Sequence, residues 1–125
     1  TNWKVSITPS STSNKIFLIA SVFYGLDDDT YGSLCSVAFA RGSTAIGQGS
    51  ESAASGTVVG IGYTGTNNHV TVPIQFLDSP STTSATTYHV VCRNHIGGNK
   101  TFYVNGRKNG TQRGASTITA YEIAG

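Results

Sequence analysis

His69-Val70-Thr71-Val72-Pro73-Ile74-Gln75-Phe76-Leu77 alternates strictly, with Val70, Val72, Ile74 and Phe76 on one face and His69, Thr71, Pro73 and Gln75 on the other. A period of two sustained over this length is that of a β-strand with one face in a core and one in water. Pro73 cannot donate to a ladder, which places the strand at a sheet edge or a bulge. Composition extends the reading to the whole chain. Val (10) and Ile (9) far outnumber Leu (4), Met is absent, and 17 Thr add further β-branched side chains that suit a pleated surface better than a helix. An all-β fold follows.

Breakers and β-branched runs alternate through eight strand candidates: Trp3 to Ile7, Lys15 to Tyr24, Ser33 to Arg41, Thr57 to Tyr63, His69 to Leu77, Thr86 to Arg93, Lys100 to Asn105 and Ser116 to Ile123. Between them lie turn or loop segments that include Asp27-Asp28-Asp29, Gly42 to Gly56, Asp78-Ser79-Pro80 and Asn105 to Gly114. Eight antiparallel strands fit a jelly-roll-like β-sandwich. A length of 125 residues leaves room for a single core, so residues 1–125 form one domain.

Lys15 to Tyr24 departs from simple alternation. Ile16, Leu18, Ala20 and Val22 on one face are matched by Phe17, Ile19 and Phe23 on the other. One face of a sandwich strand lies in the core, so a second apolar face needs its own cover. A neighbouring subunit is the expected cover, with Phe17, Ile19 and Phe23 at the interface; a loop or terminal strand folding across them is the alternative. An internal echo points to two halves. Pro9-Ser10-Ser11-Thr12-Ser13 through Ile19 aligns without gaps to Pro80-Ser81-Thr82-Thr83-Ser84 through Val90, matching Phe17 with Tyr88. Arg41-Gly42-Ser43-Thr44 is echoed by Arg113-Gly114-Ala115-Ser116-Thr117.

Composition also excludes functions. Charged residues are only 11% of the chain, and polarity comes from 15 Ser and 17 Thr. No apolar run approaches the ~18 residues of a membrane helix, and a net charge of +2 is too mild for duplex nucleic acid, so neither membrane insertion nor nucleic-acid binding is expected. Thr1 to Ser10 lacks the pattern of a signal peptide. Cys35 and Cys92 each sit in an apolar run, where a buried free thiol is expected; a bridge between them is the other reading.

Four pieces of the chain, in order, carry a resemblance. They are Ser6-Ile7-Thr8-Pro9-Ser10-Ser11-Thr12-Ser13-Asn14-Lys15-Ile16, Ala40-Arg41-Gly42-Ser43-Thr44, the run Phe76-Leu77-Asp78-Ser79-Pro80 through Tyr88, and Gly114-Ala115-Ser116-Thr117-Ile118-Thr119 with the closing Glu122-Ile123-Ala124-Gly125. Together they resemble a domain common at the C-termini of tail-fibre-like and other virion surface proteins of marine phages. The resemblance implies a β-sandwich on the virion surface, assembled in the host cytoplasm as a homotrimer and joined to other virion proteins. It also fits a chain that opens Thr1-Asn2-Trp3 without Met, as the C-terminal piece of a longer or processed polypeptide.

No catalytic signature is present: G-x-S-x-G, H-E-x-x-H and Walker patterns are all absent, so no enzymatic activity, catalytic residue or cofactor is expected. Ile118, Ala120 and Glu122 share a face, where a carboxylate marks a strand end reaching solvent or an Arg; the resemblance favours a structural ion pair. Asp27, Asp28 and Asp29 offer hard oxygen ligands without the spacing of a dedicated Ca²⁺ loop and read as a solvated turn, a weak metal candidate. His69, His89 and His95 show no metal-ligand spacing.

Charge distribution is more informative. Five of eight cations, Arg93, Lys100, Arg107, Lys108 and Arg113, fall between residues 93 and 113, a stretch free of acids that also holds Asn94, His95, Tyr103, Asn105 and Asn109. Such loops suit contact with a host-surface glycan or anionic polysaccharide. The alternatives are that they meet the Asp27 to Asp29 turn of a neighbouring subunit, or are simply solvated. Tyr24, Tyr31, Tyr63 and Tyr103 are candidate aromatic platforms for a sugar, while Trp3 is expected to pack beneath the chain. Three functions remain in view: a tail-fibre head contacting a glycan receptor, a capsid decoration or head-fibre protein without receptor recognition, and a free-standing carbohydrate-binding module.

Overall fold

The computed structural model describes residues 3–26, 35–47, 69–94, 101–106, 110 and 112–125. Among these, eight antiparallel strands build a β-sandwich of two four-stranded sheets: β1 (Lys4–Ile7), β2 (Lys15–Leu26), β3 (Cys35–Arg41), β4 (Thr44–Ile46), β5 (His69–Asp78), β6 (Thr86–Asn94), β7 (Phe102–Val104) and β8 (Thr117–Ile123). One sheet runs β1-β6-β3-β4. In the other, β2 is flanked by β5 on one side and by β7 and β8 in succession on the other. The expected strands at Trp3, Lys15, Ser33, His69, Thr86, Lys100 and Ser116 all form, with ends shifted by a residue or two; the one expected at Thr57 to Tyr63 lies outside the described residues.

Hydrophobic periodicity explains the packing. Ile16, Leu18, Ala20, Val22 and Tyr24 point inward from β2, joined by Val72 and Ile74 of β5, and meet Val37, Phe39 and Tyr88 from the opposite sheet. These form the buried core, with Trp3, Val5 and Ile7 packed at its margin as the alternation of the first strand requires. Tyr24 is fully buried and stacks on Phe102 with ring centroids 4.7 Å apart, so it belongs to the core and is no sugar platform. Among the described strands β5, which carries Pro73, stands at the edge of its sheet, one of the two positions its missing donor allows.

The segment Gly42 to Gly56 was expected to be loop, yet it begins with β4. Arg41 pairs with Thr44, so only Gly42 and Ser43 make the turn, and Gly42 adopts φ 57°. Glycine at the first central position of a two-residue hairpin supplies the positive φ that matches the twist of the flanking strands. Three residues are too short for a periodic signal, and the turn alone marks them.

The sequence echo survives in its turns and fails in its strands. Ser13 N donates to Ser11 Oγ (3.3 Å) and Ser84 N donates to Thr82 Oγ1 (3.1 Å), the same hydroxyl-capped turn at matching positions. Beyond the turns the buried parity is opposite: Tyr88 is in the core, whereas Phe17 lies half-buried on the outer face of β2. The second echo has no structural counterpart either. Arg41 leads into a hairpin, while Arg113 is exposed and forms an isolated bridge to Gly106.

Cys92 is a free thiol, as the unbridged reading has it, but it is exposed rather than buried, and the Cys35 side chain lies outside the described residues. Register places Cys92 opposite Val37, toward the end of β6, where core alternation runs out to the surface. Neighbouring atoms still desolvate the sulfur enough to push its thiol up to about 12.

Candidate functional site

The sandwich has two unlike poles. At one, short turns connect strand ends: residues 8–14 between β1 and β2, Gly42 and Ser43 between β3 and β4, and residues 79–85 between β5 and β6. Two carboxylates close this pole. Asp78 and Glu122 both pair with Ile16, one from each side of β2, and therefore share its inward face.

Asp78 was expected in a turn but is the last residue of β5, buried at 6% exposure. Its Oδ2 accepts from the Tyr88 hydroxyl at 2.7 Å, and both its oxygens accept from Arg41 Nη1 at 2.9 and 3.1 Å, which ties one sheet to the other. A buried charge tolerates its site only when paired and hydrogen-bonded in this way. Burial, then the hydrogen bond to Asp78, raises the Tyr88 phenol far above its ordinary value, so it remains a donor. Among the described residues Glu122 has no Arg partner. Its Oε1 accepts from Ser10 N, from Ser10 Oγ at 2.8 Å and from Asn14 Nδ2 at 2.7 Å, while Asn14 Oδ1 accepts from Gly125 N at 3.2 Å. The Asn14 bond first, then those from Ser10, hold the Glu122 carboxyl below its usual range. The ion pair expected at Glu122 belongs to Asp78, because the Asn14 amide and the Ser10 donors already fill the space beside Glu122. Both carboxylates have structural partners.

The opposite pole gathers the strand ends Leu26, Cys35, His69, Asn94 and Phe102; Cys35 pairs with Asn94, His69 with Gly25 and Phe102 with Leu26. The connection between Asn94 and Phe102 carries His95 and Lys100, whereas Arg107, Lys108, Asn109 and Arg113 fall in the connection between Val104 and Thr117, which pair with Tyr24 and Ser21 away from this pole. Arg93 and Asn94 close β6 at this pole, with their side chains outside the described residues, as are His95, Lys100, Arg107, Lys108 and Asn109 altogether. Tyr103 is half-buried on β7, across Gly25 from His69, and Arg113 is exposed beside Gly106. Asp27, Asp28 and Asp29 follow Leu26 directly and also lie outside the described residues, as do Tyr31, Tyr63 and the connection 48–68. Among the described residues no three His, Cys, Asp or Glu gather to hold a metal ion.

The outer face of β2 receives its cover unevenly. Residues 105–116 connect Val104, opposite Tyr24, to Thr117, opposite Ser21, and of them 105, 106, 110 and 112–116 are described. Asn105 N donates to Phe23 O at 2.9 Å and Phe23 N to Ser116 Oγ at 2.9 Å, so Asn105 and Ser116 satisfy the β2 backbone that a continuous strand would have paired. Gly114 stands against the Phe23 ring so closely that a Cβ there would overlap it, and His69 packs on the same ring from the other side at 4.9 Å. Phe23 is thus covered by the chain itself. Phe17 and Ile19 lie beyond these contacts, and Ile19 is 40% exposed. No protein-family model matches the chain, and no curated protein matches it significantly.

Proposed function

We propose that this chain is a non-enzymatic structural domain of a virion surface, a jelly-roll-like head of a homotrimeric tail fibre that contacts a host-surface glycan through its basic connections. The observation that carries the reading is the polarity of the sandwich. One pole is closed by short turns and two hydrogen-bonded carboxylates, and the strand ends Asn94 and Phe102, between which His95 and Lys100 fall, lie at the other. Arg107, Lys108 and Arg113 fall in the β7–β8 connection that starts from Val104, opposite Tyr24. Long connections presented by a rigid scaffold are the usual place for recognition. Both acidic side chains among the described residues stand at the closed pole.

The test is adsorption to host cells with Arg107 and Lys108 both replaced by Ser. Attachment is expected to weaken several-fold and to lose part of its salt dependence while the thermal midpoint stays unchanged. Unchanged adsorption removes those two residues from the contact. Tight binding to fibreless capsids, with no signal on a glycan array, would favour a capsid decoration role instead.

A further inference from the structure

All four exposed large hydrophobic side chains among the described residues lie on one surface: Ile19 of β2 at 40%, Leu77 of β5 at 46%, and Tyr121 and Ile123 of β8 at 52% and 44%. Register sets them side by side. Leu77, Phe17 and Tyr121 form one row across the three strands, Ile19 lies one step along β2 between Gln75 and Thr119, and Ile123 sits beside Lys15. We propose that this half of the outer β5-β2-β8 face is the seat of another copy of this chain. The proposal rests on the self-association in the function proposed above and names the surface that would carry it; host contact does not enter.

Three observations select a second copy. The first is area. At about 200 Å² for a fully exposed residue of this size, the four side chains leave roughly 350 Å² open, nearly half of the ~800 Å² that each partner of a standard interface buries, before Phe17, Gln75 and Thr119 are added. The second is charge. No acidic side chain points outward from β2, β5 or β8, and Lys15 stands at one end of the face. An identical face therefore meets this one with no like-charged pair at its centre, and a charged partner finds nothing there to read. The third is the boundary: Gly114, set against the Phe23 ring, closes the face beyond Ser21, so the occupant is confined to the half near the closed pole.

Sedimentation velocity from about 1 µM to about 100 µM tests the proposal on the whole chain, with Tyr121→Lys, Leu77→Lys and, as a control on the same sheet outside the patch, Thr71→Lys. The wild type and the control are expected to sediment as multimers. Both patch variants should fall to 13.0 kDa monomers with at least tenfold weaker association and unchanged far-ultraviolet circular dichroism. Ile123→Lys, at the strand end, replaces either variant if it fails to fold. Multimers that survive the patch substitutions overturn the surface and leave self-association standing. A wild type that is monomeric throughout overturns both.

Discussion

The Asp78 network makes a prediction that a double-mutant cycle can refute. Tyr88→Phe removes one buried hydroxyl that donates over 2.7 Å to a carboxylate whose side chain is 8% exposed. A hydrogen bond to a charged group contributes about 1.5–3 kcal/mol, so a loss of about 2 kcal/mol is expected. Asp78→Ala removes the acceptor and leaves the Tyr88 hydroxyl orphaned. Arg41, with its side chain 36% exposed, can rehydrate and adds little to the cost. The orphaned hydroxyl and lost bonds together set the expected loss at about 3 kcal/mol. In the double variant nothing is orphaned, so its loss should stay near 3 kcal/mol, about 2 kcal/mol short of additivity. Urea denaturation of the four proteins at a common m-value measures this. Additivity within about 0.5 kcal/mol, or a neutral Tyr88→Phe, would refute the reasoning. Titration gives an independent arm. The native state holds the Tyr88 proton more tightly than the unfolded chain does, chiefly through burial. That contribution is intact below the ordinary tyrosine value of about 10 and declines as pH rises beyond it, a slope Tyr88→Phe should lack.

Two further predictions concern other contacts. Glu122 titrates below its ordinary value, so its contribution is present above the unfolded carboxyl range and is lost as pH falls through the folded value. Glu122→Gln should therefore be less stable than the wild type at pH 7, with the gap closing below about pH 4; a gap that persists in acid contradicts the pairing with Ser10 and Asn14. Gly114→Ala should cost about 1–3 kcal/mol because its Cβ must displace the Phe23 ring, and the loss should shrink in a Phe23→Leu background. Equal losses in both backgrounds would place the strain elsewhere.

Much of the fold was legible because strands announce themselves locally. The alternation in His69 to Leu77 and the two-faced run of Lys15 to Tyr24 carry their buried and outward residues in order, and β5 and β2 follow them closely. β4 was missed because three residues cannot show a period. Glu122 was legible as a carboxylate on an apolar face, but its partners were not, since Ser10 and Asn14 stand more than a hundred residues away in the chain. Asp78 was read as a turn residue from its neighbours Ser79 and Pro80. Its company with Tyr88 and Arg41 depends on two sheets meeting, a contact no local pattern encodes.

By itself the sequence determined the class and the inward faces of β2 and β5, and narrowed β5 to an edge or bulged strand. These depend on side-chain period and on the missing donor of Pro73, both properties of consecutive residues. Only the tertiary structure decided how the outer face of β2 is divided. Phe17, Ile19 and Phe23 are indistinguishable as members of one apolar row, yet Asn105, Gly114 and Ser116 meet Phe23 while Ile19 stays 40% exposed. The reason is registry. β7 leaves β2 at Tyr24 and β8 rejoins it at Ser21, so the Phe23 backbone and ring fall in the gap between them, where Asn105, Gly114 and Ser116 meet them.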